Sequence, residues 1–203
     1  MKDIVIIGAG GHTRSAINLL EQYFKNEIFA IFDESCTHTN REVISNIELV
    51  STVKDILNKK VFLSIGDNVK RKELYMKYKN NIIKNNLFHR TCYQEDNITI
   101  GKSNQIFANV YINSYVVIGD NNIINTSAIL EHEVKIGSHN HISIGSKLCG
   151  RVKLGDNCMI GAGSIVIDKI TICDDVIIGA GAVVVENISI SGTYVGNPAR
   201  KIK

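Results

Sequence analysis

The 203-residue sequence has no tryptophan and a single proline, Pro198. What abounds instead is Ile, Val, Asn and Gly, a composition that favours many short strands joined by turns. An excess of either charge is also missing. With 23 basic and 20 acidic residues the net charge is +3, which gives no electrostatic footprint for nucleic acid or an anionic membrane and leaves room for a modest anionic ligand. The cysteines, Cys36, Cys92, Cys149, Cys158 and Cys173, are odd in number and contain no CxxC pair. Neither a zinc knuckle nor a disulfide framework is thereby indicated, and reduced thiols in a cytoplasm are expected. The opening run Ile4-Val5-Ile6-Ile7 is too short for a signal segment or a membrane span and leads straight into glycine. The chain is therefore expected to be soluble, unprocessed and cytoplasmic, long enough to bury a core as one large or two small domains.

Internal repetition dominates the second half. Stepping by six from Ile100 meets Ile106, Ile112, Ile118, Ile124, Leu130, Ile136, Ile142, Leu148, Leu154, Ile160, Val166, Ile172, Ile178, Val184 and Ile190 without a break. With an aliphatic residue at roughly 0.4 of positions, such a run arises by chance at below about 10⁻⁶. Four residues further on stand mostly small or β-branched residues, among them Ala128, Val134, Ser146, Val152, Cys158, Ser164, Val176 and Ala182. These are expected as the second inward position of each short strand. Gly101, Gly119, Gly137 and Gly155 lie three hexads apart, as do Gly161 and Gly179. Three hexads make one triangular coil, and coils stacked at strand spacing make a parallel β-helix, here of about five coils.

The first half alternates strands and helices. A buried strand from Asp3 to Ile7 runs into the turn Gly8-Ala9-Gly10-Gly11, and Thr13 to Phe24 carries apolar Ala16, Ile17, Leu19, Leu20 and Tyr23 at helical spacing. Strands over Ile28 to Phe32 and Val61 to Ile65 follow, then a charged helix from Lys70 to Lys79. This pattern predicts a small Rossmann-like α/β domain over residues 1–88, with its ligand crevice at the carboxyl ends of the strands, preceding a β-helix domain over residues 89–203. The stretch from Asn85 to Asn97 is expected to connect them. The loop Gly8-x-Gly10-Gly11-x-Thr13 lacks the third glycine of a dinucleotide fingerprint. A plain strand-to-helix turn would read the same. Backbone amides opening a helix nevertheless suit a phosphate, and Asp33 is placed to meet a ribose or base edge.

His132, His139 and His141 cluster inside the repeats. His132 is third in its hexad, Leu130-Glu131-His132-Glu133-Val134-Lys135, and so projects from a corner of the prism. A solvated corner histidine would sit there equally. Eighteen residues on, however, stands Gly150, one coil further along the same edge, which leaves room for a ligand and exposes an amide able to stabilise a developing oxyanion. A carboxylate beside the imidazole fixes its tautomer, and Glu133 or Glu131 could serve. Cys149 flanks Gly150 but has no histidine as a sequence neighbour, which favours a structural role over a covalent one.

Ile129-Leu130-Glu131-His132-Glu133, with Asn125-Thr126-Ser127 before it and His141-Ile142-Ser143-Ile144-Gly145 after it, resembles the active-site region of the PglD/NeuD-like sugar acetyltransferases. The similarity runs from Gly8-Ala9-Gly10-Gly11-His12 to Val195-Gly196-Asn197-Pro198-Ala199, and the Glu-His-Glu segment is most similar to UDP-4-amino-sugar N-acetyltransferases of the UDP-diacetylbacillosamine type. The resemblance implies a left-handed β-helix, an exception to the usual crossover hand. It implies acetyl-CoA as co-substrate, no metal, a homotrimer with sites shared between subunits, and a place in bacterial surface glycan or glycoprotein synthesis. His132 becomes the general base, Glu133 its partner and Gly150 the oxyanion donor. His141 contacts the thioester, and Ala162 and Ala180 line the pantetheine groove. Gly10, Gly11, His12, Asp33, Glu34, Gly66 and Asn125 meet the UDP-sugar.

On this reading the amine attacks the thioester directly while His132 removes its proton, without an acyl-enzyme. The nearest alternative keeps the fold and coenzyme but acetylates a hydroxyl, as the sialic acid O-acetyltransferases of the same family do. A more distant one is a zinc enzyme of the γ-carbonic anhydrase kind, with three histidines across an interface. A non-enzymatic, sugar-nucleotide-sensing trimer is the remaining alternative.

Overall fold

The computed structural model describes residues 3–33, 43, 44, 46–50, 52 and 56–203, and it divides into two units, Met1–Lys84 and Asn85–Lys203. In the first unit, strands β1 (Ile4–Ile7), β2 (Ile28–Phe32), β3 (Val43–Ile44), β4 (Ile47–Val50) and β5 (Lys60–Leu63) form one sheet in the order β3-β4-β2-β1-β5. The central pairings are parallel and only β3 with β4 is antiparallel. Helix α1 (Gly11–Phe24) follows β1, and α2 (Asn68–Lys77) follows β5. β1 is buried on both faces, as a central parallel strand should be. Val5, Ile7, Val61 and Leu63 pack with Leu74, Tyr78 and Ile82, while Ala16, Ile17, Leu19 and Leu20 of α1 are also buried. Tyr23, expected on that apolar face, is 44% exposed. It falls at the helix end, where its ring turns outward against Phe24.

The second unit is a triangular prism of two-residue strands recurring every six residues. Its three faces hold six, five and eight strands. Each coil repeats the register of the one before, so that Ile112 pairs with Leu130, Leu130 with Leu148 and Leu148 with Val166. From Ile106 to Val184 every aliphatic residue of the six-residue frame is buried. The small partners from Ala128 to Ala182 are buried completely. The backbone turns each corner in a left-handed conformation at every sixth residue, from Asn97 to Gly181, with φ between 55° and 68°. Such residues need a reason to accept that conformation. From Asn121 onward each turn frees its amide to bond one coil back, as Glu133 N–H does to the Ser114 carbonyl at 3.0 Å and Arg151 N–H to that of His132 at 2.9 Å.

The prism departs from its sequence pattern at both ends. Leu87–Phe88 and Tyr93–Gln94, within the stretch expected to connect the halves, are already rungs paired with Gln105–Ile106 and Tyr111–Ile112. At the far end Ile190 is 62% exposed, while Ile188 is buried and bridges Ile172. The frame slips by two residues where Asn187 turns its Oδ1 to accept from Thr171 N–H at 2.8 Å.

The interior holds a spine of asparagines. Asn104, Asn122 and Asn140 occupy the second inward position and are wholly buried. Each Oδ1 accepts the backbone N–H of the spine residue one coil on, from Asn122, Asn140 and Cys158 at 2.8, 2.8 and 2.6 Å. Each Nδ2 donates to a glycine carbonyl, those of Gly119, Gly137 and Gly155, at 2.9 to 3.0 Å.

Candidate active site

His132 projects from the edge between the strands Ile129–Leu130 and Lys135–Ile136. Its Nδ1 lies 3.2 Å from Glu133 Oε2, with the two side chains 46% and 54% exposed. Glu131, the other candidate partner, is engaged elsewhere: its Oε2 accepts from Asn113 Nδ2 at 2.7 Å. With Nδ1–H held by Glu133, the Nε2 lone pair is left free. Nε2 turns toward Gly150. A Cβ on Gly150 would stand 2.5 Å from His132 Nε2, 2.6 Å from Cε1 and 3.0 Å from Asp168 Oδ1. The space kept clear by this glycine is thus occupied by the imidazole itself, and Gly150 is buried beneath the ring. The Gly150 carbonyl accepts from Lys169 N–H at 2.9 Å, whereas its own N–H donates to no backbone carbonyl among the described residues.

Gly150→Ala is accordingly expected to lower kcat roughly tenfold to a hundredfold by displacing the ring, with little change in melting temperature. A coupled thiol-release assay and thermal unfolding measure the two. Asp168, one coil beyond Gly150 on the same edge, was not singled out in the sequence, although the eighteen-residue step reaches it. Arg151 Nη2 holds its carboxylate at 3.1 Å from both oxygens.

Cys149 is half-buried, and its thiol is pushed up by burial first and by the carboxylates of Glu131 and Asp168 second. A thiol so held stays protonated at neutral pH and is a poor nucleophile. Cys149→Ser is expected to retain kcat within about threefold, since a thiol that stays protonated takes no part as a nucleophile; the same thiol-release assay checks it.

A different edge carries Asn125, Ala162 and Ala180. Gly163 N–H bonds the Ile144 carbonyl and Gly181 N–H that of Ala162, both at 2.8 Å, which aligns Ile144, Ala162 and Ala180. Gly145, Gly163 and Gly181 beside them have open space where a side chain would be. This edge is a wall of accessible backbone. His141 is 8% exposed on the adjoining strand, and its Nε2 lies 3.1 Å from Asn125 Nδ2. His139 lies 2.8 Å from Asn121 Nδ2. No group of three His, Cys, Asp or Glu among the described residues is arranged to hold a metal ion.

In the first unit, Gly10, Gly11, His12, Asp33 and Gly66 line one cavity of about 600 Å³ at the carboxyl ends of β1, β2 and β5. Glu34 lies outside the described residues. Gly8, at φ 109°, brings its backbone against the Ser64 carbonyl, where a Cβ would stand at 2.7 Å. Thr13 Oγ1 donates to the Gly8 carbonyl at 2.8 Å, and Asp33 Oδ2 accepts from Ala9 N–H at 2.9 Å, fixing the loop. Arg71 is wholly buried and donates to the carbonyls of Ile65 and Gly66 and to Asn68 Oδ1. Burial pulls its guanidinium down to about 10, still charged at neutral pH. Ser64 and Lys70 also line the cavity without having been named from the sequence; they flank the turn Gly66-Asp67-Asn68.

Residues 3–78 match the PglD N-terminal domain, and residues 133–168 and 151–186 match the bacterial transferase hexapeptide (six repeats). Comparison with curated protein sequences finds no match. Among solved structures, a variant of perosamine N-acetyltransferase from Caulobacter crescentus, in complex with CoA and GDP-perosamine, is 30% identical. It matches with a TM-score of 0.88 over 99% of this chain and 97% of its own. This chain belongs to the PglD-like family of sugar acetyltransferases. The acetyltransferase domain of PglB from Neisseria gonorrhoeae, at 22% identity, has the same fold, with a TM-score of 0.85 over 100% of both chains. So does WeeI from Acinetobacter baumannii, at 21% identity and a TM-score of 0.76 over 98% of this chain and 99% of its own. The prism of this PglD-like protein is the left-handed β-helix of hexapeptide transferases, and the PglB acetyltransferase domain has also been solved in complex with acetyl coenzyme A. No helix among the described residues is long and apolar enough to cross a membrane.

Proposed function

We propose that the protein acetylates the amino group of a UDP-linked 4-amino-4,6-dideoxy sugar in a cytoplasmic step of bacterial surface glycan or glycoprotein synthesis. The observation that carries this reading is the imidazole of His132, oriented by Glu133 and lying over the backbone of Gly150. His132 Nε2 takes a proton from the amine as its nitrogen attacks the thioester carbonyl. The Gly150 N–H stabilises the oxyanion, and collapse breaks the C–S bond to release the CoA thiolate. No residue is acylated on this route, in keeping with the protonated thiol of Cys149.

The active protein is a homotrimer. His132 and Gly150 share one edge of the prism, and the backbone wall of Ala162 and Ala180 forms another. A second copy supplies the missing wall. The face between these edges presents half-buried Tyr111, Ile129, Ile165 and Val183, interrupted by exposed Lys147, whereas the next face presents exposed Val117, Lys135, Lys153 and Thr171. Apolar residues aligned in this way suit self-association.

The test is thiol release from acetyl-CoA with a UDP-linked 4-amino-4,6-dideoxy sugar, its GDP-linked counterpart and sialic acid as acceptors, alongside sedimentation for the trimer. The GDP arm is included because the perosamine enzyme was solved with GDP-perosamine. Turnover of the UDP-linked amine is expected. Turnover of sialic acid alone would replace N-acetylation with O-acetylation, and turnover of the GDP-linked sugar alone would replace the nucleotide.

A further inference from the structure

Asp168 stands at the His132 corner with no part in the mechanism above. It lies one coil past Gly150 and two past His132 on the same edge of the prism. Its Oδ1 comes within 3.0 Å of the point where a Gly150 Cβ would stand, a point only 2.5 Å from His132 Nε2. Two acceptors thus converge over one glycine. His132 bonds Glu133 and Asp168 bonds Arg151, and no direct bond joins the two. Acceptors set this close can be bridged by a single nitrogen, whose bond to each runs to roughly 2.9 Å.

The carboxylate is clamped in place. Arg151 Nε reaches Oδ1 at 3.3 Å, Nη2 reaches both oxygens at 3.1 Å, and Lys169 Nζ lies 3.6 Å from Oδ2. These contacts are longer than the roughly 2.7–2.9 Å of a strong charge-assisted bond, so Oδ1 can still take a closer donor. The side chains of Arg151 and Asp168 are 46% and 41% exposed, and an ion pair in that setting adds little to stability. Folding therefore gives no reason for a clamped carboxylate here, whereas the chemistry of the corner does. Its field is felt at the site, since after burial it is Glu131 and Asp168 that push up the thiol of Cys149.

A pair of acceptors is a pattern that an amine fits and a hydroxyl does not. With its lone pair aimed at the thioester carbonyl, an amine has two N–H groups left and can give one to each acceptor. A hydroxyl has a single hydrogen, and giving it to His132 leaves the carboxylate facing oxygen lone pairs. Mismatches of this kind are what let a polar site reject an analogue of nearly the same shape. Positive charge also develops on the nitrogen as the C–N bond forms, and a fixed carboxylate stabilises it. The proton still passes to His132 Nε2, and Asp168 gains none.

We propose that Asp168, positioned by Arg151, is the acceptor that selects an amine over a hydroxyl in the sugar substrate. The inference rests on the amine-acetylating reading given above and adds the side chain that enforces it.

Steady-state thiol release from acetyl-CoA with UDP- and GDP-linked 4-amino-4,6-dideoxy sugars tests it, each with its 4-hydroxy counterpart as competitive inhibitor. The wild type, Asp168→Asn, Asp168→Ala and Arg151→Gln are compared. Both Asp168 variants are expected to lower kcat/KM for the amine by about tenfold to a hundredfold, the scale of one hydrogen bond to a charged group. The loss should fall mostly on kcat, while the inhibition constant of the hydroxyl sugar does not rise and the KM for acetyl-CoA is unchanged. Arg151→Gln frees the carboxylate without removing it and should cost less. A greater loss at Arg151 than at Asp168 would mean that the guanidinium meets the acceptor, and would overturn the assignment. A merely structural carboxylate would weaken the amine and the hydroxyl sugar together, which would also overturn it. Unchanged kcat/KM for the amine in both Asp168 variants would overturn the inference while leaving the amine-acetylating reading intact. Failure of the wild type to acetylate either amine would overturn both.

Discussion

His132→Ala is expected to lower kcat by about 10²- to 10⁴-fold, the contribution of a positioned general base, while the KM for acetyl-CoA and the melting temperature stay near wild type. The stability half of this expectation follows from the environment of the ring. It is 46% exposed and its hydrogen bond is to a neighbouring, equally exposed carboxylate, so truncation opens no cavity and strands no buried partner. The rate half follows from what survives the substitution. On the proposed route the Gly150 amide meets the oxyanion and the edge of Ala162 and Ala180 takes the coenzyme; both are backbone features, and removing an imidazole leaves them in place. Proximity and oxyanion stabilisation therefore persist, and residual activity above the uncatalysed rate is expected. Glu133→Gln should cost less, because an amide oxygen still accepts from Nδ1 and only the charge is lost. Steady-state thiol release with both substrates varied separates these cases. A kcat within tenfold of wild type for His132→Ala would remove the general base from the mechanism.

The reason the edge carrying His132 was legible in the sequence is arithmetical. A prism whose coil is three hexads stacks residue n on n+18, so Leu130, Leu148 and Val166 announce the core, and His132, Gly150 and Asp168 announce the edge, by the same count. What escaped the count are positions where the backbone geometry admits a residue that the aliphatic pattern does not. Gln94 interrupts the frame, and with it the first coil went unread, although Tyr93–Gln94 pairs with Tyr111–Ile112 in ordinary register. Ile190 keeps the frame and yet leaves the core, because the slip at Asn187 puts Ile188 inside. β4 lies in a stretch with mixed polarity and reveals itself only through pairing with β2. Ser64 and Lys70 were invisible for another reason. Neither belongs to a recognisable spacing; the cavity unites them because β5 ends beside β1 and α2 begins beside the first loop. The left-handed corner at every sixth residue leaves a faint trace, since Asn and Gly are frequent there, but Glu133, Arg151 and Lys169 obscure it.

Asn122→Leu is expected to destabilise the β-helix by about 2–6 kcal/mol, taking 1–3 kcal/mol for each buried polar group left without a partner. Two groups are stranded. Asn140 N–H loses the Oδ1 acceptor that meets it at 2.8 Å, and the Gly137 carbonyl loses the Nδ2 donor at 3.0 Å. Leucine has a similar volume and no polar atoms, so the change tests the hydrogen bonds and not the packing. Asn122→Asp should be as damaging, since it sets a carboxylate oxygen against the Gly137 carbonyl and Asn104 Oδ1 in a site without water access. Cys158 shows how the spine can end without such a cost. Its N–H completes the Asn140 bond at 2.6 Å, and its Sγ donates weakly to the Cys173 carbonyl at 3.2 Å. Its thiol is pushed up to about 12 by burial, so it remains a donor. Cys158→Ala therefore removes one weak donor where Asn122→Leu removes an acceptor and a strong donor, and the smaller loss is expected at Cys158. Urea unfolding followed by circular dichroism ranks the three variants. Equal, small losses for all of them would mean that the spine is a passenger of the aliphatic core. A large loss confined to the Asn122 variants would mean that the polar interior holds successive coils in register, and that the edge where His132 overlies Gly150 depends on it.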